Sequence, residues 1–119
     1  MPEHCLPHHH GGLFDNGHAQ MPPMEDFSLV ADLFKKLDDP SRLKIFWLLC
    51  HCEECVINLS SLMDMSSPAV SHHLTKLRAS GLIVSRREGK EVYYKAADTP
   101  QSRTLHETIE RVMEITCPK

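Results

Sequence analysis

Apolar residues recur along this chain at the three- and four-residue steps that are typical of amphipathic helices. The first such set predicts a helix that ends before residue 39; it consists of Phe27, Val30, Leu33, Phe34 and Leu37. Asp39 and Pro40 then stand as the cap and the first residue of a second helix. Apolar residues lie nearly all round that helix: Leu43, Ile45, Phe46, Trp47, Leu48 and Leu49. We therefore expect it to be central and buried.

Two further helices and a hairpin follow. Asn58 is the expected cap of a short third helix, and Ser67 is the expected cap of a fourth. The fourth helix has a buried stripe at i, i+4 and i+7, formed by Val70, Leu74 and Leu77. Gly81 ends that helix, because glycine accepts the positive φ of a helix C-terminus. Residues 82–85 and 91–95 are the two strands of a predicted hairpin.

A last helix is predicted from Thr99 to about Cys117, with Leu105, Ile109 and Val112 on one side. Two helices linked by a tight turn and followed by a basic hairpin are typical of a winged helix-turn-helix. The predicted fold class is therefore mainly α with a β-hairpin wing. In such a fold the second helix of the pair enters the major groove of DNA, and the hairpin touches the flanking backbone.

The chain divides by composition into a tail and one domain. Residues 1–24 form a His- and Pro-rich segment without helical or strand period, which we expect to be a flexible N-terminal tail. Residues 25–119 are the expected DNA-binding and dimerisation domain. The chain has 119 residues, and no apolar run approaches the roughly 20 residues that a bilayer span needs. We expect no membrane association and a cytoplasmic location.

Charge is distributed unevenly along the sequence. The net charge is −3, yet no Lys or Arg precedes Lys35. Residues 66–95 hold six basic side chains against the acidic Glu88 and Glu91. A local basic field suits a small DNA footprint, because phosphate contacts depend on the charge near the contact.

The polar face of the fourth helix and the basic hairpin supply the candidate DNA contacts. Hydroxyls and imidazoles can reach base edges, whereas ammonium and guanidinium groups neutralise phosphates. The candidates are Ser67, Ser71, His72, His73, Thr75, Lys76, Arg86, Arg87 and Lys90.

Several motifs occur together here. Residues 39–43 read Asp-Pro-Ser-Arg-Leu, residues 71–74 read Ser-His-His-Leu, residues 81–83 read Gly-Leu-Ile, and residues 87–90 read Arg-Glu-Gly-Lys before Val92, Tyr93 and Tyr94. With this set the chain resembles the ArsR/SmtB family of bacterial metal-sensing repressors, over residues 25–114. The resemblance implies a homodimer formed by the first and last helices, an operator with two-fold symmetry, and release of DNA when an inducer binds. It also implies that residues 67–76 are the recognition helix and residues 86–90 the wing.

Three of the five cysteines lie within six residues, at Cys50, Cys52 and Cys55, beside two glutamates. On a continuous helix Cys50 would lie about 200° from Cys52, so the three thiolates converge only if the helix unwinds there. Three thiolates suit Cd(II), Pb(II), As(III) or Cu(I), whereas Zn(II) needs a fourth donor. Cys5 or His4 of the tail is a candidate for that donor. The sequence leaves the identity of the metal open.

The family resemblance supports this cluster in part. Family members that sense thiophilic metals carry a Cys-Val-Cys step at the start of the third helix. Cys55 matches its first cysteine, and Ile57 stands where the second is expected. A second family site, across the two last helices, is not expected in this chain, because Pro100 and Arg111 occupy its histidine positions. His106 is then expected to be a surface helix residue.

The predicted function is a DNA-binding transcriptional repressor released from its operator by a thiophilic metal ion. One alternative is a redox- or persulfide-sensing repressor that uses Cys50 and Cys117, as some family members use one cysteine on each of the corresponding helices. Another is a metal-buffering protein, given the histidine-rich tail. An enzyme with a cysteine nucleophile and His51 or His106 as base is not expected, since no Asp or Asn is placed to orient the base.

Overall fold

The computed structural model describes residues 6–8, 10–12 and 20–118 of the chain. Its elements, in order, are α1 (Met24–Lys35), α2 (Pro40–His51), β1 (Glu54–Cys55), α3 (Val56–Met63), α4 (Ser67–Ala79), β2 (Ile83–Glu88), β3 (Glu91–Ala96) and α5 (Pro100–Thr116). The predicted order is confirmed, with the short strand β1 as an addition. The fold is a winged helix-turn-helix, in which α3 and α4 are the helix pair and β2 and β3 the wing.

The chain divides into two compact units, Met1–Phe34 and Lys35–Lys119. Helix α1 lies almost wholly in the first unit and buries none of its residues, so the apolar side chains of Phe27, Val30 and Phe34 are exposed. The remaining helices and the sheet form the second unit. The division made from composition, at residue 25, stays a prediction.

The core of the second unit lies where α2, α3, α4 and β2 meet. Phe46 of α2 and Leu59 of α3 are fully buried, and Leu82 and Ile83 close the core from the sheet side. The predicted stripe of α4 is confirmed, because Val70, Leu74 and Leu77 are buried. Packing on this side fixes which face of α4 points outward.

The predicted cap at Asp39 is confirmed, and the last helix begins directly after Thr99, close to its predicted start. The Asp39 carboxylate accepts a hydrogen bond from the backbone N–H of Arg42 at 2.9 Å, and the Thr99 hydroxyl accepts one from Ser102 N–H at 3.2 Å. The hydrogen bond from Arg42 also lowers the pKa of Asp39. Both helices carry proline in their first turn, as expected.

Two other predicted caps are wrong. Ser66, not Ser67, caps α4, with its hydroxyl accepting from Ala69 N–H at 3.3 Å. Helix α3 begins directly after Cys55, earlier than the expected cap at Asn58, because the pairing of β1 with β3 ends there. The Asn58 side chain instead donates to the Glu54 carboxylate at 2.8 Å.

The sheet is antiparallel, with β3 between β1 and β2. Glu88 pairs with Glu91, so a loop of two residues joins the wing strands, where a longer link is predicted from the sequence. Gly89, the first loop residue, has φ +62, which such a tight turn requires and which glycine adopts without a Cβ clash. Within the described ranges, no helix is both long enough and apolar enough to cross a bilayer.

Candidate nucleic-acid interface and metal-ligating residues

The face of α4 opposite its buried stripe carries short polar and basic side chains. Those that are exposed are Ser67, Ser71, His72, Thr75 and Lys76. The Thr75 hydroxyl donates to the Ser71 carbonyl at 2.9 Å, and the Ser67 hydroxyl lies 3.1 Å from that of Ser60 in α3. This face therefore offers hydroxyls, an imidazole and an ammonium group side by side.

His73 differs from its neighbours because its ring turns toward α2. The Nη1 group of Arg42 lies 3.3 Å from His73 Nδ1, and the Asp39 carboxylate lies 3.7 Å from Nε2. Burial is the main cause that lowers the pKa of His73, although Asp39 acts in the opposite direction. The neutral ring therefore fits a role in holding α4 against α2 better than a contact with DNA.

Arg42 is the buried charged group at this junction, with only 7% of its surface exposed. Its guanidinium donates to the Lys36 carbonyl and, at 3.2 Å, to the Asp38 carboxylate, besides the contact with His73. The sequence motif at residues 39–43 thus joins the start of α2 to the middle of α4.

The wing presents Arg87 and Lys90 as exposed cations. Arg86 also lies on the surface, but its guanidinium is engaged by carboxylates. Its Nε and Nη2 groups donate to Glu53 at 2.9 and 2.6 Å, and its Nη1 group donates to Glu88 at 2.7 Å. The guanidinium also lies 4.9 Å from the ring centroid of Tyr93. These partners hold Arg86 over the sheet.

The three clustered cysteines lie in three different settings. Cys50 is half-buried in the last turn of α2, Cys52 is the exposed residue after that helix, and Cys55 is buried in β1 at the start of α3. The Cys52 thiol donates to the Leu48 carbonyl at 3.2 Å. The break in the helix that the cluster requires is present, because α2 ends at His51.

The thiols are nevertheless not gathered at ligand distance. In the described part of the chain, one set of three His, Cys, Asp or Glu side chains has all its ligand atoms within 4.8 Å of one another, and it contains no cysteine. Burial, reinforced by the charge of Glu110, raises the pKa of Cys50 to about 11. Burial and the charge of Glu54 raise the pKa of Cys52. Both thiols are therefore protonated at neutral pH.

One more cysteine, outside the cluster, belongs to the described part of the chain. Cys117 is exposed at the end of α5 and, like Cys50, has a free thiol. Cys5 and His4, the predicted donors of the tail, lie outside the described residues. Their role stays a prediction.

The set that does meet the distance criterion is His51, His106 and Glu110. It joins the last turn of α2 to the middle of α5. The sequence predicts His106 as a surface helix residue; its side chain is instead partly buried, and its Nε2 lies 3.1 Å from both His51 Nε2 and the Glu110 carboxylate. The i, i+4 spacing of His106 and Glu110 was visible in the sequence, but the approach of His51 depends on how α2 packs against α5.

Comparison with known proteins connects this geometry to a family. Residues 39–85 match the family model described as bacterial regulatory protein, arsR family. Over 85 residues the chain is 39% identical to the transcriptional repressor SmtB homolog of Synechocystis sp., covering 71% of this chain and 64% of that protein. Over 70 residues it is 46% identical to the arsenical resistance operon repressor of Escherichia coli, covering 58% and 60%. The chain thus spans about three fifths of the length of these two relatives.

A solved structure extends the likeness to three dimensions. It is the homodimeric winged helix-turn-helix DNA-binding domain, fragment 1–100, of a possible ArsR-family transcriptional regulator from Mycobacterium bovis. The two chains are 28% identical with a TM-score of 0.68, over 78% of this chain and 85% of the other. The names of all three proteins are those of transcriptional regulators, in agreement with the expectation that the chain is not an enzyme.

Proposed function

The chain belongs to the arsR family of bacterial regulatory proteins, and from this premise we propose that it is a transcriptional repressor whose operator complex is broken by a thiophilic metal ion. The observation that carries the DNA-binding part is the exposed polar face of α4 beside the cations of the wing. Such a repressor acts on double-stranded DNA in the cytoplasm.

Helix α4 is the proposed recognition helix. Ser71, His72 and Thr75 lie on its exposed face, where a helix in the major groove turns its side chains toward base edges. Lys76, Arg87 and Lys90 supply charges for the phosphates on either side. We assign His73 and Arg86 to positioning, because their neighbours are protein groups of α2 and of the loop before β1.

We further propose a homodimer that binds an operator with two-fold symmetry. Helix α1 exposes Phe27, Val30 and Phe34, and α5 exposes Val112 and Ile115 near its C-terminus. Exposed large apolar side chains that share one face of a helix are typical of interaction surfaces. The Mycobacterium bovis neighbour is itself homodimeric, which supports pairing between two copies of this chain. Two recognition helices would then meet grooves about 34–36 Å apart.

The proposed inducer site comprises Cys50, Cys52 and Cys55, with Cys5 or His4 as further candidates. Soft thiolate ligands select Cd(II), Pb(II), As(III) or Cu(I), and Zn(II) with an additional donor. The E. coli relative is by its name an arsenical resistance repressor, which fits a thiophilic inducer. Binding would require the thiols to lose their protons and approach one another, so the segment at residues 52–55 would move.

The segment at residues 52–55 is in direct contact with the proposed DNA-binding elements. Cys55 is the residue from which α3 begins, and its strand is paired with Tyr93 of the wing. Glu53 of the same segment is bound to Arg86. A coupling free energy of about 1–3 kcal/mol between the two sites is sufficient to weaken operator binding 5- to 150-fold.

The test is fluorescence anisotropy on a labelled palindromic operator from the protein's own promoter. Reduced protein is titrated onto the DNA, and Zn(II), Cd(II), Pb(II), arsenite, Cu(I) and a persulfide donor are then added separately. We expect release by at least one metal, and reversal by a chelator or competing thiol. No binding to such DNA at low salt would overturn the repressor itself.

Two variants locate the inducer site. Cys52→Ser and Cys55→Ser are expected to bind DNA as the unaltered protein does and to stay bound when metal is added. Cys117→Ser is the matched control and is expected to release normally. Release by the persulfide donor alone, abolished in Cys117→Ser, would favour the redox alternative, and metal binding without any DNA binding would favour the metal-buffering alternative.

A further inference from the structure

Three ligand atoms converge where α2 meets α5. Nε2 of His51 lies 3.0 Å from Oε1 of Glu110, Nε2 of His106 lies 3.1 Å from the same oxygen, and the two nitrogens lie 3.1 Å apart. The three atoms form a nearly equilateral triangle. Two imidazoles and a carboxylate are also the donor set of many zinc sites.

Protons alone do not satisfy this triangle. The triangle has three short contacts, but each Nε2 carries at most one hydrogen, so at most two of the contacts are hydrogen bonds. When both rings are neutral and donate to Glu110, no hydrogen remains between the two nitrogens. The same Oε1 atom also accepts the indole N–H of Trp47 at 3.0 Å. Three donors thus meet an oxygen that has two lone pairs. A cation bound above the plane of the triangle would instead take one lone pair from each of the three atoms.

We propose that His51, His106 and Glu110 form a binding site for a divalent cation of the Zn(II) class that joins α2 to α5. With zinc–ligand bonds of about 2.0–2.1 Å, the ligand atoms of a tetrahedral site lie about 3.3 Å apart. The observed edges of 3.0–3.1 Å need only a small expansion to reach that value. No residue of this set belongs to the positions that the family resemblance assigns to metal ligands.

Trp47 and the solvent complete the site. The indole N–H fixes the Glu110 carboxylate and leaves a lone pair of Oε1 for the cation. The side chains of His51 and Glu110 are 45% and 40% exposed, which leaves the fourth coordination position open to water.

This site differs in chemistry from the cysteine cluster beside it. It offers nitrogen and oxygen ligands, for which Zn(II) competes well, whereas thiolates select softer ions. Metal binding here is measured without DNA, so the inference does not rest on the proposed function.

The experiment is a competition titration of the full-length reduced protein with Zn(II) and a chromophoric chelator. His51→Gln and His106→Gln are expected to lose one zinc equivalent per protomer, or to bind it at least about 10-fold more weakly, and Glu110→Gln to weaken the same equivalent. Glu107→Gln, one turn earlier on the exposed surface of α5, is the matched control and is expected to bind as the unaltered protein does. Circular dichroism without metal checks that each variant is folded.

Co(II) absorption identifies the ligands of the lost equivalent. Both sites contribute d–d absorption, but only thiolate ligation gives the sulfur-to-cobalt charge-transfer band. The histidine variants are expected to keep that band and to lose the d–d bands of the nitrogen- and oxygen-ligated ion, whereas Cys52→Ser is expected to lose the charge-transfer band and to keep those d–d bands. Zinc stoichiometry and affinity equal to those of the unaltered protein in both His51→Gln and His106→Gln would overturn the proposal. A cobalt spectrum that arises from thiolate ligation alone would overturn it as well.

Discussion

Glu53 and Arg86 form a two-point ion pair, with Nε to Oε2 at 2.9 Å and Nη2 to Oε1 at 2.6 Å. Glu53 lies between the cysteines of the proposed inducer site, and Arg86 lies in the first strand of the wing. The planar guanidinium and the carboxylate match in geometry, so the pair fixes orientation as well as distance. It is therefore a direct mechanical link between the two functional parts that we propose.

The first prediction concerns this link. In Glu53→Gln the thiols are retained but the charged two-point contact is lost, so metal binding should persist while its effect on DNA declines. The ratio of operator affinities without and with metal is expected to fall below about 5-fold, the lower end of ordinary allosteric coupling. Anisotropy titrations with and without saturating metal give this ratio.

Glu88→Gln is the control for that experiment. Glu88 also binds Arg86, at 2.7 Å, but it belongs to the same strand and does not reach the cysteine segment. The variant should keep the full ratio. An equal loss of coupling in Glu88→Gln would mean that the charge of Arg86, and not its connection to Glu53, matters.

The second prediction concerns phosphate contacts. Lys76→Ala and Arg87→Ala each remove one proposed contact per protomer and hence two per dimer. Since each contact contributes about 0.9 to the slope of log K against log salt, each variant should reduce that slope by about 2. The measurement is a series of anisotropy titrations at increasing salt concentration. Each variant should lose affinity for operator DNA and for unrelated DNA to the same degree, because phosphate contacts do not depend on sequence.

Arg103→Ala serves as the control, because it lies on α5 and pairs with Asp98. Its salt slope should equal that of the unaltered protein. An unchanged slope in both Lys76→Ala and Arg87→Ala would remove these residues from the interface.

The order of elements could be predicted from sequence because hydrophobic period and caps agree locally. Asp39 caps α2 as expected, α5 begins directly after Thr99, and the stripe of Val70, Leu74 and Leu77 is buried as expected. Strand β1 could not be predicted in this way, because two residues have no period and owe their conformation to pairing with Tyr93 and Tyr94. The early start of α3 follows from that pairing.

The candidate sites also contain features that follow from local sequence and features that depend on tertiary packing. The exposed face of α4 follows from its buried stripe, so the candidate DNA contacts could be chosen from the helical period. Two contacts could not be predicted in this way, because they join residues more than thirty positions apart: His73 with Arg42, and Arg86 with Glu53. The grouping of His51 with His106 likewise depends on packing between α2 and α5 and has no signal in sequence spacing.

The third prediction concerns Arg42, whose buried guanidinium joins α2 to α4. Arg42→Met preserves much of the side-chain volume but leaves the Lys36 carbonyl and His73 Nδ1 without their donor. A loss of about 1–3 kcal/mol in the free energy of unfolding is expected, the usual cost of unsatisfied buried polar groups. Urea denaturation at fixed protein concentration measures it.

Arg103→Met is the comparison, because that side chain is exposed and its ion pair with Asp98 is a surface pair. A change within about 0.5 kcal/mol is expected there. Equal effects of the two substitutions would contradict the structural role assigned to Arg42.

The last prediction uses the pKa of Cys50. Burial raises it from the ordinary 9.0 to about 11, so the thiol stays protonated as pH rises until it approaches the higher value. Because the thiolate is the reactive form, a shift of this size lowers the reactive fraction at pH 8 by about 100-fold. Alkylation of Cys50 by iodoacetamide, followed by mass spectrometry, should therefore be slow in the folded protein and much faster in concentrated urea. Rapid labelling of Cys50 in the folded protein at pH 8 would contradict this burial and would favour the redox alternative, which needs a reactive thiolate on α2.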